Sequence, residues 1–264
     1  MSLMLSGAVV GAAQKILVKM KRIAAYNLGV NAEAVEYASG VFRHKDGSGT
    51  GLAFAEVATI AHTRKHQMPA DMEGGLSELY VMEVPGGGHL PDDQGRMQSY
   101  PAYTFSVHIP VVEVNPRTGE VRFLDYFAAH DCGTPIHPDI VEGMVYGGIA
   151  QGIGAALYEK FVYADDGQFL SSTFMDYLLP SANEIPPIKM VEHVTPGPHH
   201  PFGAKGTGEG GYLTAPAAVA SAVEDALAPL GVRVTALPIT PAGLLALIGN
   251  DKERRTGPGP AMSR

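Results

Sequence analysis

The 264-residue sequence predicts an α+β fold of mixed sheets with packed helices. Three observations lead there. Residues 9–24 and 138–157 are apolar enough, and the first is periodic enough, to form helices with a buried face. Residues 103–114 and 121–129 are apolar stretches folded about Asn115-Pro-Arg-Thr-Gly119, a hairpin whose glycine suits the left-handed turn position. The 32 glycines and 20 prolines, about a fifth of the chain, supply many turns and irregular loops between these elements.

In chain order, the first helix carries Val9, Val10, Ala13, Ile16, Leu17, Met20, Ile23 and Ala24 at three- and four-residue steps. Lys15, Lys19, Lys21 and Arg22 fill much of its other face, Ser6 can cap its start and Gly29 can end it. Residues 34–37 and 41–43 read as short strands around Ser39-Gly40. A helix is expected over 52–63, a strand over 79–84, and a long loop over 85–101 of the kind that is often functional or touches a partner. After the hairpin comes a helix at 138–157, opened by Pro138 and Asp139, both favourable in a first turn. Residues 158–163 and 169–172 flank the turn Asp165-Asp-Gly-Gln168 as a second hairpin, and 188–194 reads as a strand. A helix at 215–227, a strand at 232–235 and a helix at 241–248 follow. Residues 1–249 are read as one region, divisible into two subdomains, and residues 250–264 as a disordered tail.

Composition narrows the function classes. The formal charge of −8 (19 basic against 27 acidic residues) disfavours a nucleic-acid partner or an anionic membrane surface. Cys132 is the only cysteine, so no internal disulfide forms and no oxidising compartment is indicated. No apolar run approaches the ~20 residues of a membrane span, and the first residues lack a signal peptide's basic segment. The expected location is cytoplasmic.

The chemistry concentrates in Pro201-Phe-Gly-Ala-Lys-Gly-Thr-Gly-Glu-Gly-Gly-Tyr212. Glycine lets backbone approach a ligand closely, at a cost in chain entropy. Glu209, held among four glycines just before a helix, is a candidate catalytic group; a plain glycine-rich turn carrying a surface acid is the other reading. The helix at 138–157 has a related oddity in Gly147-Gly-Ile-Ala-Gln-Gly-Ile-Gly154, where each glycine costs ~1 kcal/mol relative to alanine. Another backbone or a ligand must come close there. Gly206 to Gly211 also fits G-x-G-x-x-G, but the fingerprint needs a strand directly before it, and Pro198-His-His-Pro-Phe-Gly-Ala-Lys205 is a poor strand. His193, His199 and His200 lack the spacing of a zinc site, and Cys132, although His130 and His137 are near it in sequence, reads as packing.

Two stretches carry a resemblance: Val141-Glu-Gly-Met-Val-Tyr-Gly-Gly-Ile-Ala-Gln-Gly-Ile-Gly154 and Gly203-Ala-Lys-Gly-Thr-Gly-Glu-Gly-Gly211. Together they resemble the molybdenum-binding large subunit of the xanthine dehydrogenase family, which includes aldehyde oxidoreductases and aerobic carbon monoxide dehydrogenases. His108-Ile-Pro-Val-Val-Glu-Val-Asn-Pro-Arg-Thr-Gly119, Asp131-Cys-Gly-Thr-Pro-Ile-His-Pro138, Phe174-Met-Asp-Tyr177 and Ala228-Pro-Leu-Gly-Val232 add to it, over nearly all of residues 1–248. Met144 and Tyr146 depart from the family, which commonly has Gln at the first position and His or Glu at the second.

The resemblance implies that the fold is the C-terminal half of a molybdopterin-binding region. It implies molybdopterin, in its cytosine dinucleotide form, as cofactor, with molybdenum held by the pterin near Glu209 and no side chain as direct metal ligand. Glu209 falls on the base beside the metal, which takes a proton from water-derived oxygen. Gln151 falls on a glutamine that hydrogen-bonds the pterin. Gly148, Gly152, Gly206, Gly208, Lys205 and His108 are implied around the cofactor, with Lys205 ordering the loop, and Ser2 and Ser6 at its phosphates. The implied reaction hydroxylates a small heteroaromatic or aldehyde-type substrate. Electrons leave to iron–sulfur and FAD partner subunits, because this chain has no cysteine cluster for iron–sulfur binding. In relatives the region is the last third of a longer subunit, so the resemblance implies that the remaining part of the molybdenum subunit is also a partner, through a split gene or a fragment. A non-catalytic assembly subunit and a nicotinamide-dinucleotide-binding domain are the rival readings.

Overall fold

The computed structural model describes residues 2–83, 91–97 and 102–256. It divides into two compact units, Met1–Pro101 and Ala102–Arg264. In the first, helix α1 spans Ser2–Leu28. It begins four residues ahead of Ser6, which therefore lies inside the helix and is not its cap. Met20, Ile23 and Ala24 are buried as their spacing predicts, whereas Val9 is exposed. Gly29 follows at φ 68°, the left-handed conformation that ends many helices. Strands β1 (Val35–Ala38), β2 (Val41–His44) and β3 (Leu52–Ala53) form an antiparallel sheet. Helix α2 (Phe54–Thr63) buries Val57, Ile60 and Ala61 in one core with Met20, Ile23 and Phe42.

The strand expected at 79–84 does not form over its described residues, 79–83. Tyr80 and Met82 pack instead on α1, where Gly7 and Gly11, about one turn apart, leave notches. A Cβ on Gly11 would stand 2.2 Å from Tyr80 Cδ1, and one on Gly7 would stand 1.8 Å from Met82 Sδ. Side-chain packing on a helix replaces ladder pairing here, so alternation has no sheet to serve. Val84 and most of the long loop, residues 84–90 and 98–101, lie outside the described residues.

The second unit is built on the expected hairpin. Strands β4 (Phe105–Val114) and β5 (Val121–Asp131) pair antiparallel, with a bulge at Val111/Val112. Gly119 turns the chain at φ 74°. Strand β6 (Ile188–Glu192) joins β5 in parallel, giving the order β4-β5-β6. Between them runs helix α3 (Pro138–Leu157), followed later by α4 (Ala215–Ala226) and α5 (Pro241–Thr256). Tyr126 and Ala128 on one sheet face join Val145, Ile149 and Ile153 of α3, Val219 and Val223 of α4, and Leu244 and Ile248 of α5 in one core. Among the described residues α3 alone is long and apolar enough to cross a membrane, but eight of its residues are buried, five of them in this core.

Three expected elements differ. The hairpin at 158–172 reduces to a single bridge, Tyr163↔Phe169. Residues 232–235 are not a strand; the Val234 N–H donates to Glu224 Oε2 on α4 at 2.8 Å rather than to a neighbouring strand. Helix α5 runs through residues 250–256 of the expected tail, where Lys252, Glu253, Arg254 and Arg255 are good helix formers; residues 257–264 lie outside the described residues.

Candidate active site

Helix α3 and the glycine-rich loop that precedes α4 enclose an open pocket of about 330 Å³. Met144, Gly148 and Gln151 line it from α3, at the spacing of one helix face. Gly208, Glu209 and Tyr212 line it from the loop. The residues assigned as catalytic base and pterin ligand, Glu209 and Gln151, thus share one pocket although 58 positions separate them (209 − 151). Both are exposed. The described residues alone do not build the water-poor surroundings that would strengthen a carboxylate base.

The glycines sort into two groups. In the loop, Gly211 lies against α3: a Cβ there would stand 2.2 Å from the Val145 carbonyl oxygen. On α3, a Cβ on Gly148 would meet Tyr212 N at 2.8 Å, and one on Gly152 would meet Ala215 Cβ at 2.5 Å. Gly211 and Gly148 let the helix and the loop touch backbone to backbone, and Gly152 admits the Ala215 side chain of α4 against α3. Gly206 and Gly208, and Gly147 on α3, have nothing within 4 Å of a built Cβ, and none has a positive φ. Neither strain nor packing within this chain calls for glycine there, and open backbone of this kind fits a flat ligand laid close against it.

The end of β5 anchors the loop. His130, buried, meets Ser106 Oγ through Nδ1 at 2.8 Å and Thr207 Oγ1 through Nε2 at 2.7 Å. Its ring also fills the space beside Gly210, where a Cβ would lie 2.2 Å from Cε1. Burial lowers the His130 pKa; Asp131 opposes that and Lys205 adds to it. The Asp131 carboxylate meets Lys205 Nζ at 2.9 Å, with both side chains 5% exposed. It also accepts from the N–H groups of Gly133 at 2.8 Å and Thr195 at 3.2 Å. Burial alone would raise the Asp131 pKa, but the hydrogen bonds from Thr195 and Gly133 and the Lys205 ammonium outweigh it and hold the carboxyl well below its usual range. Lys205 N–H donates to the Cys132 carbonyl at 2.7 Å, and Gly133 and Ala204 form a bridge.

Of the other expected residues, Lys205 is spent on Asp131 and on the Phe105 ring, 5.3 Å from its Nζ, which fits loop ordering. Gly152 is buried by α4 and does not line this pocket. His108 is buried; its Nδ1 pairs with Tyr126 Oη at 2.9 Å, while its Nε2 has no partner among the described residues. Burial pushes its pKa down to about 4, with His130 adding to the effect. Ser6, half-buried, lies on α1 of the first unit with Ser2, whose side chain is outside the described residues. No group of three or more metal-ligating side chains occurs among the described residues. His200 folds the loop instead, its Nδ1 facing the N–H groups of Phe202 and Ala204 at 3.3 Å. Cys132 is buried and its thiol pKa raised, chiefly by burial, the state of an unreactive thiol. No strand runs into Gly206, so the dinucleotide fingerprint lacks its context. His130 and Asp131 had no assigned role in the sequence reading; their partners on the loop, Thr207 and Lys205, lie more than 70 residues away, and no local spacing signals them.

The model of the molybdopterin cofactor-binding domain matches residues 1–186. The carbon monoxide dehydrogenase large chain of Hydrogenophaga pseudoflava is 34% identical over 87% of this chain and 26% of its own length. The nicotine 6-hydroxylase large subunit of Paenarthrobacter nicotinovorans is 33% identical over 89% of this chain and 27% of its own. The crystal structure of quinoline 2-oxidoreductase from Pseudomonas putida 86 superposes with a TM-score of 0.76 at 34% identity, over 90% of this chain and 28% of that one. The chain therefore spans about a quarter of the length of these relatives. With a matching domain model, relatives at this identity and a shared fold, the chain belongs to the molybdopterin-binding large subunits of the xanthine dehydrogenase family of molybdenum hydroxylases.

Proposed function

We propose that this chain forms one wall of the active site of a molybdenum hydroxylase and supplies its base, Glu209. The observation that carries the reading is the shared pocket of Glu209 and Gln151, lined also by Gly208, which no packing among the described residues requires to be glycine. The molybdenum–pterin group, in its cytosine dinucleotide form, supplies a two-electron redox centre when bound. The Gln151 amide, with a donor and an acceptor to offer, hydrogen-bonds the pterin. Gly147, Gly206 and Gly208 admit it against bare backbone. Glu209 accepts, on a carboxylate oxygen, one of the two protons released when water and a C–H bond become a C–OH group and two electrons.

The substrate class that suits this chemistry is a small heteroaromatic or an aldehyde-type carbon. Iron–sulfur and FAD subunits carry the electrons away, and a polypeptide corresponding to the rest of the relatives' large subunit closes the site and excludes water. A cytoplasmic setting suits a chain whose single cysteine is a buried free thiol. The test is Glu209→Gln in the complex isolated with its natural partners, with molybdenum measured beside turnover. Turnover lost at unchanged metal supports the base. Turnover equal to that of the wild type overturns it and leaves a supporting subunit.

A further inference from the structure

We infer that His130 is the positioning residue of the Glu209 loop, a role that rests on the reading of Glu209 as base. One buried side chain touches the loop on both sides of the carboxylate. Thr207, two residues before Glu209, meets Nε2 at 2.7 Å, and Gly210, one residue after it, lies against the ring. The other ring nitrogen is tied to Ser106 on β4 at 2.8 Å. The loop is thereby fastened through one imidazole to a strand pair whose register is fixed over ten residues of β4.

The chemistry of the residue suits the task. A neutral imidazole donates from one nitrogen and accepts at the other, so it can join two hydroxyls, each of which does either. Its ring is rigid and has two side-chain torsions to fix. Gly210 extends the argument: any side chain there would occupy the place of the ring. The Asp131–Lys205 pair holds the loop four residues upstream of Glu209 (209 − 205), outside the turn that carries Glu209. Within that turn, Gly210 N–H donates to the Thr207 carbonyl at 3.1 Å, and Tyr212 and Leu213 N–H donate to the Glu209 carbonyl at 3.0 and 3.1 Å. These bonds shape the turn, and the His130 contacts fix it in place. A carboxylate that must meet one reacting atom loses rate when it wanders by an ångström.

The test uses the complex with its natural partners and three variants, His130→Ala, Thr207→Val and Glu209→Gln. Thr207→Val keeps the side-chain shape and removes one hydrogen bond, so it remains informative if His130→Ala folds poorly. Amide hydrogen exchange of residues 207–212 is the readout that does not depend on turnover. The expected result for Thr207→Val is exchange at least tenfold faster there, unchanged exchange at residues 203–205, unchanged molybdenum content, and kcat reduced at least tenfold with KM within twofold. Unchanged exchange at 207–212 overturns the positioning role whatever happens to rate. Faster exchange with unchanged kcat also overturns it, provided Glu209→Gln is inactive. If Glu209→Gln itself retains turnover, the base reading has failed, and the exchange data still decide what holds the loop.

Discussion

The Asp131–Lys205 pair offers a quantitative prediction. Removing one member of a buried ion pair costs about 3–5 kcal/mol, because the survivor is left charged away from water. In Lys205→Met the Asp131 carboxylate keeps its bonds from Gly133 and Thr195, which places the cost at the low end, about 3 kcal/mol. In Asp131→Asn the ammonium keeps only the Phe105 ring beside the weaker amide oxygen, which places it near about 4 kcal/mol. The double variant removes both charges and retains an oxygen facing Gly133, so it falls well short of the sum. Cys132 is a built-in probe: it is the only cysteine in the sequence and is buried next to Asp131. When reclosing outpaces alkylation, its labelling rate follows the opening equilibrium. A cost of about 3 kcal/mol then means labelling roughly 100-fold faster in Lys205→Met. Labelling within threefold of the wild type, or single-variant effects that add fully in the double, would refute the reasoning.

Four further outcomes follow from the geometry. Gly147→Ala stabilises the chain by about 0.5–1 kcal/mol, since the position is helical and open. Gly148→Ala destabilises it by about 1–3 kcal/mol through contact with the Gly211–Tyr212 backbone; urea denaturation separates the two, and retention of molybdopterin falls in both if the pterin lies where proposed. His108 gives a pH dependence. Its folded pKa of about 4 lies below the usual 6.5, so the unfolded chain binds the extra proton between those values. The stability it contributes is whole above pH 6.5 and lost as pH falls towards 4, by up to about 1.4 kcal/mol per pH unit and about 3 kcal/mol in all. Urea denaturation at pH 7.5 and 5 measures it, and His108→Phe flattens the slope without abolishing it, because His130 shifts in the same direction. Gly119→Ala costs at least about 1 kcal/mol, combining positive φ with a Cβ only 2.3 Å from the Pro241 carbonyl oxygen; thermal unfolding followed by circular dichroism detects it.

Helices α1, α3 and α4 and the β4–β5 hairpin were legible in the sequence because their signals are local: periodicity, alternation and turn residues. The loop of Glu209 was legible because glycine clusters are costly and need a reason. What failed was sheet membership. Residues 79–83 and 232–235 look extended, but Tyr80 and Met82 found glycine notches on a helix and Val234 found a carboxylate. The need for close approach at Gly147 to Gly154 was readable, but its division was not. Gly148 and Gly152 meet protein, while Gly147 faces open space. The His130 and Asp131 clamp stayed hidden because its halves are distant in sequence, 77 positions apart for His130 and Thr207.

That separation sets an order of events in folding. Strand β6 pairs in parallel with β5, and Tyr126 finds Ile188, 62 positions further on (188 − 126), only after the chain has been brought round through α3. Non-local pairings of this kind form slowly, since loop closure is unfavourable until the contacts that reward it exist. The hairpin can close as soon as residue 131 is available, but it then exposes the Asp131 carboxylate and the His130 ring without their loop partners. Both stay wet until residues 205–210 return to the sheet. The loop of residues 205–210 therefore closes after the hairpin it caps, and a chain that stalls or is clipped before residue 205 keeps a charged strand end that cannot be buried, a mark by which an unfinished molecule differs from a finished one.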